Sequence, residues 1–330
     1  MPTLPIRNLG AIGVVTDQNP YNLPTNGFTS SNNVRFDEGK VRRSPVFRTV
    51  KDSLGVDPRA VFGIVPNSGF DTVLFVSDDF TVNEYSNGTV TDRSGSITAS
   101  SDPRPFSISS LADVVYINRP DRVPVYRLPD GTNFADLTNW DSTWRTDALR
   151  PFGDFLLALN LTEGSTSYAN RVRFSNLVTA NAIPDTWDAT DTTKSAGFND
   201  LVQMQTAIVD GAELGSNFVI YSSTEAILME FTGGQLQFSF RKLFSDEGII
   251  NQNCVVEVEG KHYCFGTHDL YVHDTNSKQS ICDETVRQFV FKGLNIKNSD
   301  RCFVQHNKQL SEIYFCYQSG DSLVNFPNTS

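Results

Sequence analysis

Between Gly260 and Asp274 the chain reads GKHYCFGTHDLYVHD, which gathers His262, Cys264, His268 and His273, three of its four histidines and one of its five cysteines. Imidazole and thiolate are zinc ligands, so metal binding is the first chemistry to test. Zinc takes three or four donors converging at about 2.0 to 2.3 Å. A two-stranded hairpin over this stretch spreads the four side chains along its length. Aligned with similar strands elsewhere, Cys264 takes the place of Leu74, Tyr116, Leu157, Ile220 and Phe315, and His262 that of Thr72, Val114, Phe155, Phe218 and Ile313. Both are expected in packing. His273 falls where its counterparts are Glu84, Arg127 and Glu230, a polar slot before a turn, and is expected in solvent. The expectation is no metal and no cofactor.

Other catalytic constellations are also missing. The chain has no Gly-x-Ser-x-Gly elbow, no Gly-x-x-x-x-Gly-Lys loop and no His-Glu-x-x-His. Gly10 and Gly13 lack the third glycine and the preceding strand of a dinucleotide site. Asp78 with Asp79 and Asp246 with Glu247 are adjacent carboxylates, whereas a glycosidase faces two carboxyls across its substrate. No enzyme is expected. Trp140, Trp144 and Trp187 offer aromatic faces of the kind that stack on sugars, which keeps a carbohydrate-binding or carbohydrate-active protein recognising host surface glycan as the alternative function. Cys254, Cys264, Cys282, Cys302 and Cys316 are odd in number and form no C-x-x-C pair, which suits reduced thiols.

Charge is unevenly placed. The net charge is −11, yet Val34–Lys51 (VRFDEGKVRRSPVFRTVK) holds six basic residues against two acidic ones. Arg35, Arg42, Arg43 and Arg48 are the candidate docking residues, on two strands joined by an Asp-Glu-Gly-Lys turn in which Gly39 supplies the positive φ. Because side chains alternate along a strand, Arg35 and Arg43 need not share a face with Arg42. An acidic partner is the expected counterpart; contact with DNA and a merely solvated hairpin are the alternatives.

The elements that carry these residues read as an all-β chain, short β-branched and aromatic runs between Gly, Asn, Asp, Ser and Pro. One strand type recurs: DTVLFVS from Asp71, DVVYIN from Asp113, DFLLALN from Asp154, NFVIYS from Asn217, KHYCFG from Lys261 and EIYFCY from Glu312, at intervals of 42, 41, 63, 44 and 51 residues. A partner strand follows each, several closing on Asn-Gly, Asp-Gly or Gly-Gly. Such a period fits one four-stranded blade of a β-propeller. The expected architecture is about six four-stranded blades over residues 59–330, the last one incomplete, after an N-terminal arm and docking hairpin at 1–58. The long interval is expected to hold a loop over 176–200 projecting from one face. No run of 18 apolar residues and no signal-peptide pattern is present, so membrane insertion is not expected and synthesis in a cytoplasm is.

Three stretches carry a resemblance: LPIRNLGAIGVVTDQNPYNLPTNGFTSSNNVRFDEGKVRRSPVF near the start, RVRFSNLVTANAIPDTWDATDTTKSAGFNDL from Arg171, and FRKLFSDEGIINQNCVVEVEGKHYCFGTHDLYVHD from Phe240. Together they resemble tail nozzle proteins (tail tubular B-type or tail accessory) of short-tailed bacteriophages. The resemblance covers the first fifty residues and most of Tyr168 to Tyr317. It implies a structural virion protein made in the bacterial host and located in the tail. It further implies a propeller in each of six subunits, forming a ring below portal and adaptor near the tail fibres, through which genomic DNA is held and then ejected without sequence recognition. An acidic lumen would repel DNA phosphates and let the genome slide; acidity serving solubility alone is the alternative. Family members are usually longer, and this sequence stops at SLVNFPNTS in mid-hairpin of the sixth unit, so a longer polypeptide or a closing N-terminal strand is expected.

Overall fold

A computed structural model describes residues 7–15, 18–44, 49, 51, 53–64, 72–234 and 236–320. The chain forms two compact units, Met1–Leu54 and Gly55–Ser330. In the first, strands Val34–Asp37 and Lys40–Arg43 make an antiparallel hairpin whose two turn residues, Glu38 and Gly39, have φ of 49° and 73°. Positive φ at both central positions matches the strand twist, and Gly39 adopts it without a Cβ clash. Gly10 lies so close to the hairpin that a Cβ there would sit 2.4 Å from the Lys40 backbone. A short parallel pair, Gly13–Val14 with Gly27–Phe28, is the other sheet among this unit's described residues.

The second unit contains five four-stranded antiparallel sheets, each a meander in chain order. Blade 1 begins at Pro58–Ile64, blade 2 at Ser107–Leu111, blade 3 at Arg145–Phe152, blade 4 at Ile208–Leu214 and blade 5 at Val255–Val258. All-β, with small sheets in a β-propeller, is the fold. The recurrent apolar run is the second strand each time: Val114–Asn118 is buried at every position, and in Asn217–Ser222 only Asn217 is not. Strands covered on both faces need no alternation. The core lies between neighbouring blades. Leu74, Val76, Phe106 and Ile117 pack blade 1 on blade 2, while Leu157, Phe174, Phe218 and Ile220 pack blade 3 on blade 4.

After blade 5 come an α-helix, Glu284–Gly293, capped by Asp283 through the Val286 N–H, and a two-stranded hairpin, Phe303–Asn307 with Glu312–Cys316. The sequence predicts about six four-stranded blades, whereas five are four-stranded among the described residues. The remaining partner run, SLVNFPN, lies outside them. The first strands of blades 1 to 5 and Phe303–Gln305 of the hairpin all line one cavity of about 1170 Å³. Arg59 on blade 1 reaches Asp300, just before the hairpin, at 2.7 Å.

The segment 176–200, expected to project as a loop, is instead tied down. Val178 N–H bonds the Asp154 carbonyl, Asn181 N–H bonds the Ala112 carbonyl, Trp187 is 2% exposed, and Gly197–Asp200 forms the outer strand of blade 3. The sequence signal for this was Trp187 itself, too large an apolar surface to leave in water.

Candidate functional site

All three tryptophans of the chain meet on blade 3 and its inserted segment. Trp140 stands edge-on to Trp144 at 5.7 Å and to Trp187 at 4.8 Å, and the three line a pocket of about 510 Å³. Asp141 and Asp188, both exposed, stand at its rim, each fixed by an N–H bond two residues on, from Thr143 and Thr190. The Thr143 hydroxyl together with its N–H, and the Thr190 N–H together with its hydroxyl, hold the Asp141 and Asp188 carboxyls below the usual range.

A ladder of alternating rings and guanidiniums starts in one wall, at Trp144, Arg173 and Phe198, and runs on beyond the pocket. Arg173 lies over Trp144 at 4.2 Å and Phe198 at 5.2 Å; Arg171 lies over Phe198 at 4.0 Å and Tyr168 at 3.6 Å. Carboxylates hold the guanidinium edges. Glu163 accepts from both arginines, at 3.1 Å from Arg171 and 2.8 Å from Arg173, and Asp200 accepts a bidentate pair from Arg171 at 2.7 and 2.8 Å. Those bonds, Asp200 foremost, raise the Arg171 pKa, whereas burial lowers that of Arg173. Sequence reasoning missed this ladder. Its signal was Arg171-x-Arg173, two cations two residues apart and hence on one face of a strand.

The histidine stretch resolves differently. His262 and His273 are directly paired across the blade 5 hairpin, so the hairpin joins them where the sequence predicts separation. His273, expected in solvent, is 1% exposed, and His262 is 0% exposed as its packing slot predicts. Both converge on the Tyr221 hydroxyl of blade 4, at 2.6 Å from His262 Nδ1 and 2.5 Å from His273 Nε2. The outer nitrogens face carbonyls, His262 Nε2 that of Glu213 and His273 Nδ1 that of Asp274, and so carry hydrogen. When neutral, both inner nitrogens are acceptors, and the single Tyr221 proton serves one at a time. Burial pushes the His262 pKa down to about 4 and lowers that of His273. The Cys264 thiol lies 3.8 Å from the same hydroxyl and burial pushes it up to about 12, while His268 stands apart with its side chain 85% exposed. Among the described residues no group of three or more His, Cys, Asp or Glu is arranged to hold a metal. All five cysteines are free thiols.

In the basic hairpin, Arg35 is the direct cross-strand partner of Arg42 and shares its face, while Arg43 pairs with Val34 and points to the other. Asp37 already sits 3.0 Å from Arg42 and 3.9 Å from Arg35. Arg43 is exposed with no ion pair among the described residues, and Arg48 lies outside them.

The cavity between the blades is crossed by a polar network. Asp210 of blade 4 accepts from Arg150 of blade 3 at 2.7 and 2.6 Å, and from the Gly211 and Asn253 N–H groups. Asn253, entering blade 5, accepts from Arg150 at 2.9 Å and donates to the Phe106 carbonyl, entering blade 2, at 3.0 Å. One asparagine thereby ties four blades together.

No family model matches the sequence, and no curated protein does. Among solved structures the chain is similar to the extracellular domain of the putative one component system BT4673 from B. thetaiotaomicron, with 10% identity and a TM-score of 0.49, over 78% of this chain and 31% of that one. A second structure of that domain, described as from a putative hybrid two component system, gives 11% identity and a TM-score of 0.49 over 83% and 33%. The chain thus spans about a third of the length of those chains. No helix among the described residues is long and apolar enough to cross a membrane.

Proposed function

We propose that the chain is a non-enzymatic structural subunit of a phage tail nozzle, assembled as a hexameric ring in the virion and docked through its N-terminal unit. The observation that carries this reading is the order of parts: a compact unit with a basic hairpin precedes a propeller, in the stretches that resemble nozzle proteins. Phe303–Gln305 share the cavity wall with five inner strands, which supports the hairpin as the inner half of a sixth blade. Since Asn253 crosses each propeller's own cavity, the DNA path of such a ring lies between subunits. Six copies multiply a chain charge of −11, which favours a wall that repels phosphates.

Native mass measurement of the purified protein, with imaging of virions, tests the assembly. A ring present in tails is the expected result, and a strict monomer absent from virions overturns the reading. Arg42 and Arg43 point to opposite faces, so R42E/R43E alters both. This variant should fold normally and fail to join the tail. Normal assembly with altered genome retention or ejection would move these arginines from a docking contact to the DNA path.

A further inference from the structure

We propose that the three-tryptophan pocket is a saccharide site that takes a neutral, polyhydroxylated ring, an activity separate from building a ring. Pocket volume and lining fit a small ligand, since about 510 Å³ falls within the range of small-molecule sites. Electrostatics then selects its class. Phosphate or another anion would meet the exposed carboxylates of Asp141 and Asp188 at the rim. A quaternary cation seeks an aromatic face, but Arg173 already occupies that of Trp144 at 4.2 Å and holds its positive charge in the wall. A neutral ring meets neither obstacle. Its hydroxyls can donate to Asp141 and Asp188, and its C–H surface can lie against the parts of the tryptophan lining that the Arg173 guanidinium does not cover.

Trp187, 2% exposed, packs edge-on against Trp140 at 4.8 Å and closes the inner side of the pocket. The site is also held in place before any ligand arrives, because Arg173 Nη1 donates to the Trp187 carbonyl at 2.8 Å and Trp140 Nε1 to the Trp144 carbonyl at 3.2 Å.

Because every tryptophan of the chain lines this pocket, tryptophan emission excited selectively over that of the ten tyrosines reports on it. The full chain is titrated with glucose, galactose, mannose, N-acetylglucosamine and lactose, and in parallel with choline and inorganic phosphate. The expected result is a saturable change in emission with at least one sugar, at a Kd on the order of 1 mM, and none with choline or phosphate. In D141A/D188A, which leaves all three fluorophores in place, that affinity should fall at least about tenfold, the equivalent of losing roughly 1.4 kcal/mol, while the thermal transition stays near that of the parent. Silence with all five sugars overturns the proposal. So does saturation by choline or phosphate, or an unchanged affinity in the double variant. None of these results bears on assembly into tails, so this site and the nozzle reading can fail separately.

Discussion

Replacing Asp210 with alanine should cost about 3–5 kcal/mol of folding stability, the range for removing one partner of a buried ion pair. Asp210 is 1% exposed and receives four hydrogen bonds, two from Arg150 and two from backbone N–H groups. Its loss strands the Arg150 guanidinium in a half-buried place and leaves the Gly211 and Asn253 N–H groups without their acceptor. Arg150→Ala should cost less, because the carboxylate then keeps both backbone donors and gains room for water. Urea unfolding of both variants checks the order. An Asp210→Ala loss equal to or smaller than that of Arg150→Ala would show that the network does not hold the blades. The pair also differs from ion pairs that can be exchanged for apolar residues at no loss, since those two N–H groups would remain unpaired whatever replaced the side chains.

How much of this was legible depends on whether the signal was local. The second strand of each blade was visible because both of its faces are buried, leaving an uninterrupted apolar run such as Val114–Asn118. The Glu38-Gly39 turn was visible because a tight hairpin needs positive φ. The ion-pair network was not, because Arg150, Asp210 and Asn253 meet only through the propeller's closure, at sequence separations of 60 and 103 residues. His262 packs as its slot predicts, but the burial of His273 and its meeting with His262 were hidden for a subtler reason. The residues of a single strand do not reveal its partner, whereas cross-strand register sets His262 opposite His273, and Tyr221, which both meet, comes from another blade. The tryptophans could be singled out by type, but their convergence depends on the inserted segment folding back against blades 2 and 3, shown by the Asn181 bond to Ala112. Spacing alone does not encode that.

Acid should unfold the protein through this histidine pair earlier than through its carboxylates. Burial lowers the His262 pKa from an ordinary 6.5 to about 4, so the folded state keeps the ring neutral while the unfolded chain takes up a proton. The stability held by the neutral ring is therefore complete above pH 6.5 and is lost as pH falls from there through about 4. A shift of that size corresponds to about 3 kcal/mol, and His273, lowered for the same reason, adds to the loss. Among the described residues no carboxylate side chain bonds either ring. The neighbours are the Tyr221 hydroxyl, the Cys264 thiol, the Tyr271 and Phe244 rings, and two charges that act on His273 in opposite senses: Asp274 favours a cation there and Lys278 disfavours one, while burial outweighs both and keeps the ring's pKa low. Protonation would also face the hydroxyl with a donor on each side once both rings are charged. Carboxylates held below their usual range, Asp121 by Arg119 and Asp200 by Arg171, lose their contribution only at lower pH, which separates the two windows. Urea unfolding between pH 7.5 and 4.5 should show the loss in the parent chain and a flatter profile in His262→Gln. If that variant does not fold, the C2 proton of His262 followed by NMR in the parent gives the answer directly: titration near 6.5 would mean that the ring is hydrated and that the shared bonds to the Tyr221 hydroxyl do not persist in solution.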